Sequence, residues 1–134
     1  MQRFVKRVLD GWFGCELRYV EYLLASLAIS WGGWLLMPWA AFPSTITYRV
    51  MHATAPEEVW GGGLALSGGL LLCGLIRQSY RVRRRALIVM FLMWLAVWLA
   101  LMIGNWRSTA TAVYIHAAVF CALAYLRLPP GKQR

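Results

Sequence analysis

The chain has 134 residues, of which 60% are hydrophobic, and it carries a net charge of +9. This apolar content exceeds what a water-soluble domain of that length needs for its core, so lipid is the expected solvent. The basic residues stand in short segments at the ends of apolar runs, which is typical of membrane proteins. That distribution argues against nucleic-acid binding.

Residues 1–14 alternate apolar and basic side chains at helical spacing. Phe4, Val8 and Trp12 fall on one face, and Lys6 and Arg7 on another. The pattern predicts an amphipathic helix lying along the membrane surface, with a frayed, solvated tail as the alternative. No small-residue cleavage site follows the first apolar run, so a cleavable signal peptide is not expected.

Four apolar runs follow, each long enough to cross a hydrocarbon core of about 30 Å at about 1.5 Å per residue. We predict transmembrane helices at about residues 22–41, 59–76, 86–104 and 110–127. The expected fold is therefore an all-α integral membrane protein. Its four transmembrane helices form one domain over residues 1–134, arranged as two helical hairpins.

The segment Arg77–Arg85 separates the second and third runs and contains five arginines and no acidic residue: Arg77, Arg81, Arg83, Arg84 and Arg85. We interpret it as a solvated loop that fixes topology, with contact to anionic lipids as a second role. The two loops predicted on the opposite side hold only Arg49 and Arg107. This asymmetry predicts a bacterial inner-membrane protein with both termini in the cytoplasm.

The second run carries small residues at four-residue spacing, which creates a groove that another helix backbone can approach closely. The positions concerned are Gly61, Ala65, Gly69, Gly63 and Ser67. In the third run, Trp94 and Trp98 are one turn apart, and we expect them to pack against this groove. Small residues recur in the fourth run.

The polar connection before the second run ends in Thr54-Ala55-Pro56-Glu57. Thr54 is predicted to cap the following helix, with Glu57 reaching back to the cap amide and proline early in the first turn. A carboxylate pair acting in chemistry is the less favoured interpretation of Glu57 and Glu58, because adjacent helical residues point to different faces. Before the fourth run, Ser108 or Thr109 is placed to cap the last helix.

His116 is the one titratable residue predicted deep in the bilayer, and it is therefore a candidate polar site. The structural alternative is a neutral histidine satisfied by Ser67, Tyr114 or a backbone carbonyl. Cys15, Cys73 and Cys121 are far apart and lack metal-ligand spacing. We find no nucleophile–base pair or nucleotide motif, and predict no enzyme activity and no cofactor or metal.

Small multidrug transporters also have four spans, but their membrane-embedded glutamate has no counterpart here, because Glu21 lies at the predicted entrance of the first span. The chain instead resembles short inner-membrane proteins of tailed bacteriophages and prophages. The similar features are Pro56–Gly61, the arginine-rich turn before a tryptophan-rich span, and the Asn105 to Thr109 turn leading to Ala124–Arg127. Members of that group are uncharacterised or called holin-like, so the resemblance implies a phage source more than a mechanism. Four spans also depart from the one to three that are usual in holins.

The sequence thus predicts a self-associating, holin-like or envelope-modifying membrane protein, in which small residues on the second and fourth spans let copies pack. The alternative is an interaction protein, such as a superinfection-exclusion factor or an accessory subunit of a larger membrane complex. A small transporter using His116 is the third hypothesis. The expected partners are the bilayer with its anionic lipids, and a second copy or a larger membrane protein.

Overall fold

The computed structural model of the protein describes residues 17–38 and 46–128. These residues form five α-helices and a short 3-10 helix, Ile46–Tyr48, and contain no strand. The α-helices are α1 (Leu17–Leu35), α2 (Arg49–Thr54), α3 (Glu57–Ile76), α4 (Tyr80–Asn105) and α5 (Thr109–Arg127). The prediction of an all-helical protein is confirmed over this part of the chain. The predicted interfacial helix at residues 1–14 and Cys15 lie outside it.

Three of the helices, α3, α4 and α5, are long and apolar enough to cross a membrane. They correspond to the predicted spans at 59–76, 86–104 and 110–127, so the prediction of a multi-pass membrane protein is supported at this level. Helix α1 is 19 residues long but is not among them. It contains Arg18 and Glu21 together with several tyrosine, serine and glycine residues, which lower its hydropathy.

Helices α1 and α3 form the most extensive helix pair, and they run antiparallel. A Cβ atom added to Gly32 of α1 would lie 2.6 Å from both the Ala65 amide nitrogen and the Gly61 carbonyl oxygen. Further along, a Cβ atom on Gly68 would lie 2.8 Å from the carbonyl oxygen of Ala25. The glycines therefore allow the two backbones to approach within a distance that any side chain would prevent.

The prediction of a loop at Arg77–Arg85 is wrong, because α4 begins at Tyr80 and only three residues connect it to α3. The last turn of α3 closes as a Schellman motif, in which the amide of Ser79 donates to Gly74 O and that of Gln78 to Leu75 O. Gln78 takes the left-handed conformation, with φ of 52°. Arginine is a strong helix former, so the basic segment continues into α4.

The connection between α1 and α3 folds over the other end of the bundle. Met51 of α2 is fully buried, and its carbonyl accepts a hydrogen bond from the indole Nε1 of Trp60 at 3.2 Å. The Asn105 side chain lies 3.5 Å from the Thr47 hydroxyl, which ties the connection to the end of α4. We call this the connection end, and the end that contains Arg77–Arg85 the arginine end.

The predicted Thr54 cap is wrong. Thr54 is the last residue of α2, and its hydroxyl donates to the carbonyls of Val50 and Met51. Helix α3 begins at Glu57 after Pro56, which takes the N-cap position without a side-chain hydrogen bond. At the start of α5, Ser108 accepts a hydrogen bond from the Ala110 amide at 3.3 Å, so the prediction of a cap from this turn is confirmed.

Candidate functional site

A buried ion pair joins α1 to α4 at the arginine end. Arg83 Nε donates to Glu21 Oε2 at 2.7 Å, and Arg83 Nη2 donates to Glu21 Oε1 at 2.6 Å. The Glu21 side chain has no exposed surface, and that of Arg83 is 14% exposed. Two parallel charge-assisted hydrogen bonds of this kind fix the relative position of the two helices as well as neutralise both charges.

Gly74 of α3 provides the space for this pair. A Cβ atom at Gly74 would lie 2.9 Å from Arg83 Cγ and 3.0 Å from the Arg83 amide nitrogen. The first turn of α4 therefore passes directly over the glycine, which brings the guanidinium within reach of α1. Any larger residue at position 74 would displace the arginine from its partner.

The pair accounts for two residues that the sequence placed elsewhere. Arg83 was predicted to be a solvated topology residue, and Glu21 to lie at the entrance of a span. Because the two residues are 62 positions apart, the sequence alone does not reveal that they are in contact. One feature of the sequence did indicate that Glu21 is buried. Glu21 shares a helical face with Ala25, Ala28 and Gly32, and this face of small residues packs inside the bundle.

An aromatic cluster lies deeper in the bundle, where α1, α4 and α5 meet. The Trp94 and Tyr114 rings stack with centroids 5.4 Å apart, and Trp31 contacts both rings, at 5.7 Å from Trp94 and 5.4 Å from Tyr114. Trp94 is fully buried, and its indole Nε1 has no hydrogen-bond partner within the part of the chain that the structure describes. The cluster fills the interior with rigid rings, so this level of the bundle is closed rather than open to water.

We expected Trp94 to pack against the glycine-rich helix α3, but its ring stacks on aromatic residues of other helices. The ring contacts of Trp94 are with α1 and α5, and it is Met93 that lies over Gly63, 2.7 Å from the position of an added Cβ atom. Met93 is flexible, so it can fill the shallow surface above a glycine. Trp98 is half-buried.

The predicted packing residues of α3 differ in what they contact. Gly61 and Ala65 contact Gly32 of α1, and Gly63 contacts Met93. Ser67 is buried, with its hydroxyl bonded to the carbonyl of Leu64 in its own helix. Gly69 has no atom within 4 Å of an added Cβ. The groove is thus largely occupied by helices of the same chain.

His116 lies on the exposed side of α5, and its Nδ1 hydrogen bonds to the carbonyl of Ala112 in the preceding turn. Of the structural partners considered for it, the backbone carbonyl is the one found. Cys73 and Cys121 are free thiols. Over residues 17–38 and 46–128, no three histidine, cysteine or acidic side chains come together as metal ligands would.

The remaining arginines of the segment differ in their surroundings. The Tyr125 hydroxyl accepts hydrogen bonds from Arg84 Nη2 at 2.9 Å and Arg84 Nε at 3.2 Å, and the guanidinium lies 5.4 Å from the ring centroid. Arg77, Arg81 and Arg85 are exposed. One arginine therefore points into the bundle, one lies against α5, and three face the surroundings.

Comparison with known proteins finds no matching family model, no matching curated protein and no matching solved structure.

Proposed function

We propose that this chain is a small non-enzymatic membrane protein that acts by binding another membrane protein through the outward face of α1. The observation that supports the proposal is the composition of that face. Tyr19, Tyr22, Ser26 and Ser30 are exposed and share one side of the helix, at three- and four-residue spacing. Small and polar residues on a helix in lipid are typical of helix–helix contacts.

The same face borders a groove between α1 and α3. Leu23, Ala25, Ile29 and Leu72 complete its lining. The lining is mostly apolar and includes Ser26 and Ser30. The Ser26 hydroxyl donates to the carbonyl of Leu23 in its own helix, and its oxygen still has the capacity to accept a hydrogen bond. A helix of a partner would therefore find both a depression for a side chain and hydroxyl groups for hydrogen bonds.

The outward faces of the other long helices are different. They present large aliphatic and aromatic side chains, as expected for contact with acyl chains. Examples are Leu66 and Leu70 on α3, Leu92 on α4, and Val119 and Phe120 on α5. Helix α1 also exposes large apolar side chains, among them Leu23, Leu27 and Trp34, so the contrast lies in its stripe of exposed tyrosines and serines. That stripe is the part of α1 that suits a protein neighbour better than lipid.

The proposal keeps the fourth transmembrane span predicted at about residues 22–41, although α1 itself ends at Leu35. The Glu21–Arg83 pair is neutral as a whole, so Glu21 enters the bilayer with its charge compensated, which lowers the cost of inserting this helix. The resulting arrangement has two hairpins and both termini in the cytoplasm of a bacterial cell. The basic residues at the arginine end support that orientation.

Residues 17–38 and 46–128 present one face of this composition, which favours one partner over an extended assembly. A ring or filament requires two different complementary faces on every copy, whereas one face allows a pair. The small-residue positions that were expected to join copies, Gly61 and Ala65, contact Gly32 instead. The best-supported function is therefore that of an accessory subunit or a superinfection-exclusion factor.

Holin-like self-association is the second candidate, and the resemblance to phage membrane proteins favours it. In that case the face of α1 would pair with a second copy. A transporter that uses His116 has less support, because the imidazole bonds to its own helix on the outside of the bundle. Unchanged proton or substrate flux in the His116→Ala variant would remove that third hypothesis.

A photo-cross-linking residue at position 26 tests the proposal in intact membranes. We expect it to form a protein adduct, whereas the same probe at Val119, on the outward face of α5, should label lipid only. An adduct with twice the mass of the chain identifies self-association, and an adduct of another mass identifies a partner. Absence of any protein adduct at position 26, with a matched yield of lipid adducts at both positions, would overturn the proposal.

The holin-like alternative has its own test. Induced expression is followed by measurement of the membrane potential and of the release of a cytoplasmic enzyme. Loss of potential at a defined protein level, abolished by Ser26→Leu together with Ser30→Leu, would favour holin-like action. A cell that stays polarised at high protein level removes it.

A further inference from the structure

The arginine end carries a second feature, on the opposite pair of helices. An open groove runs between α4 and α5, and its lining is almost entirely apolar: Leu87, Ile88, Phe91, Ala122, Tyr125 and Leu126. Ile88 is 41% exposed and Leu126 is 75% exposed, so the groove opens outward. It is separate from the α1–α3 groove, and nothing about its role depends on the function proposed above.

Tyr125 lines this groove, and Arg84, which is bonded to its hydroxyl, stands at one end of the groove. Arg84 precedes Leu87, Ile88 and Phe91 by three, four and seven residues, so it stands on the same face of α4. Seven residues of helix correspond to about 10 Å. A cation thus lies at the mouth of an apolar channel that is about 10 Å deep along the helix axis.

The hydrogen bonds at the mouth hold the guanidinium in one orientation. The Tyr125 hydroxyl accepts from Arg84 Nε and Nη2, and its ring lies beside the guanidinium. A guanidinium has five N–H donors, and three of them do not engage this hydroxyl. The side chain of Tyr80, at the start of α4, also interacts with Arg84. The Tyr125 O–H is itself a donor. Several donors therefore converge at one point, as an anionic oxygen cluster requires.

We propose that this groove is a binding site for an anionic phospholipid. The phosphate binds Arg84 and the Tyr125 hydroxyl, and one acyl chain lies along Ile88, Phe91 and Ala122. Arg81 lies one turn before Arg84 and is exposed, so it adds positive charge on the headgroup side. The positive charge at the end of the groove matches the anionic headgroup, and the apolar lining next to it matches the acyl chain that follows the headgroup.

Lipid binding to the full-length protein in detergent is measured by native mass spectrometry during titration with phosphatidylglycerol, with phosphatidylcholine as the uncharged reference. We expect phosphatidylglycerol to bind more tightly. Arg84→Gln should weaken it by about tenfold or more, because it removes charge-assisted hydrogen bonds. The matched control is Arg85→Gln, which removes the same charge about 100° around the helix. Diffuse attraction alone predicts a loss of about fivefold or less there.

Two further variants separate the headgroup contact from the acyl-chain contact. Tyr125→Phe removes the hydroxyl that orients Arg84, and we expect an intermediate loss. Ala122→Phe fills the groove without changing any charge and should weaken phosphatidylglycerol binding, whereas Val119→Phe, outside the groove lining, should not. Circular dichroism and gel filtration confirm that each variant is folded. Equal losses for Arg84→Gln and Arg85→Gln, or equal binding by the two phenylalanine variants, would overturn the proposal.

Discussion

The ion pair between Glu21 and Arg83 makes the sharpest prediction about stability. Removal of one partner leaves the other buried without a counter-charge, a change that typically costs about 3–5 kcal/mol. The two single variants should differ, because Glu21 has no exposed surface whereas Arg83 is 14% exposed. An unpaired Arg83 can extend toward the headgroups, but an unpaired Glu21 cannot.

We therefore expect Arg83→Gln to lower the free energy of unfolding by about 4 kcal/mol, at the middle of that range, and Glu21→Gln by about 3 kcal/mol, at its low end. The double variant Glu21→Leu/Arg83→Met replaces both charges by apolar side chains of similar volume. Such a replacement is often neutral or stabilising. Its free energy of unfolding should fall within about 1 kcal/mol of the wild-type value.

Unfolding of the purified protein in detergent, followed by circular dichroism, measures these differences in a double-mutant cycle that also contains Glu21→Leu and Arg83→Met. With single losses of about 3–4 kcal/mol each and a double variant within about 1 kcal/mol of the wild type, the coupling energy should reach about 6 kcal/mol, because each single variant leaves a buried charge without its partner. Arg85→Gln, at an exposed position of the same segment, serves as the control for the loss of one positive charge. Additive losses, with a coupling energy near zero, would refute the assignment of this pair as a helix lock.

Three other substitutions test the packing. Gln78→Gly should stabilise the protein by about 1 kcal/mol, because glycine takes the left-handed conformation at this turn without steric cost; an unchanged melting temperature would count against it. Gly32→Ala should cost about 1–3 kcal/mol, since its Cβ would meet the backbone of α3, whereas Gly33→Ala, with no atom within 4 Å, should be neutral or slightly stabilising by the same measurement. Trp94→Ala should cost about 3 kcal/mol through the cavity it creates, and Trp106→Ala, at a residue that is 67% exposed, should cost less than about 1 kcal/mol; equal losses would show that the aromatic cluster contributes no packing energy.

The positions of three spans could be predicted because long apolar runs have few alternatives to a membrane helix. The conformation of the arginine segment could not. Hydropathy distinguishes what lies in lipid from what lies in water, but arginine is equally compatible with a loop and with the first turns of a helix. The start of α4 depends on the Schellman turn at Gln78, a position where glycine would have been the expected signal.

The sequence also could not predict which residues the small residues of α3 contact. Four-residue spacing at Gly61 and Ala65 predicts close approach of a backbone, but the same spacing serves contacts within a chain and contacts between copies. Only the tertiary structure places Gly32 against them. Gly69 has the same spacing, yet no atom lies within 4 Å of an added Cβ there. Spacing identifies a surface that permits packing, and the remaining geometry decides which part of it is used.

Arg83 combines two roles that act at different times. In the proposed topology it counts, during insertion, as one of the basic residues that keep this end of the bundle in the cytoplasm, and acidic residues offset this signal very little. After folding it is neutralised by Glu21 and holds α1 against α4. Arg83→Lys separates the roles, because lysine keeps the charge but cannot reproduce the two parallel hydrogen bonds of a guanidinium.

We expect a topology reporter fused after Tyr80 to give the same orientation in Arg83→Lys as in the wild type. The free energy of unfolding should nevertheless fall by about 1–3 kcal/mol, as for the loss of a hydrogen bond to a charged group. Arg85→Lys should change neither measurement, since that side chain is exposed. An inverted reporter would mean that Arg83 fixes orientation through its structure rather than its charge. An unchanged stability would mean that a single point charge near Glu21 is enough to hold the two helices together.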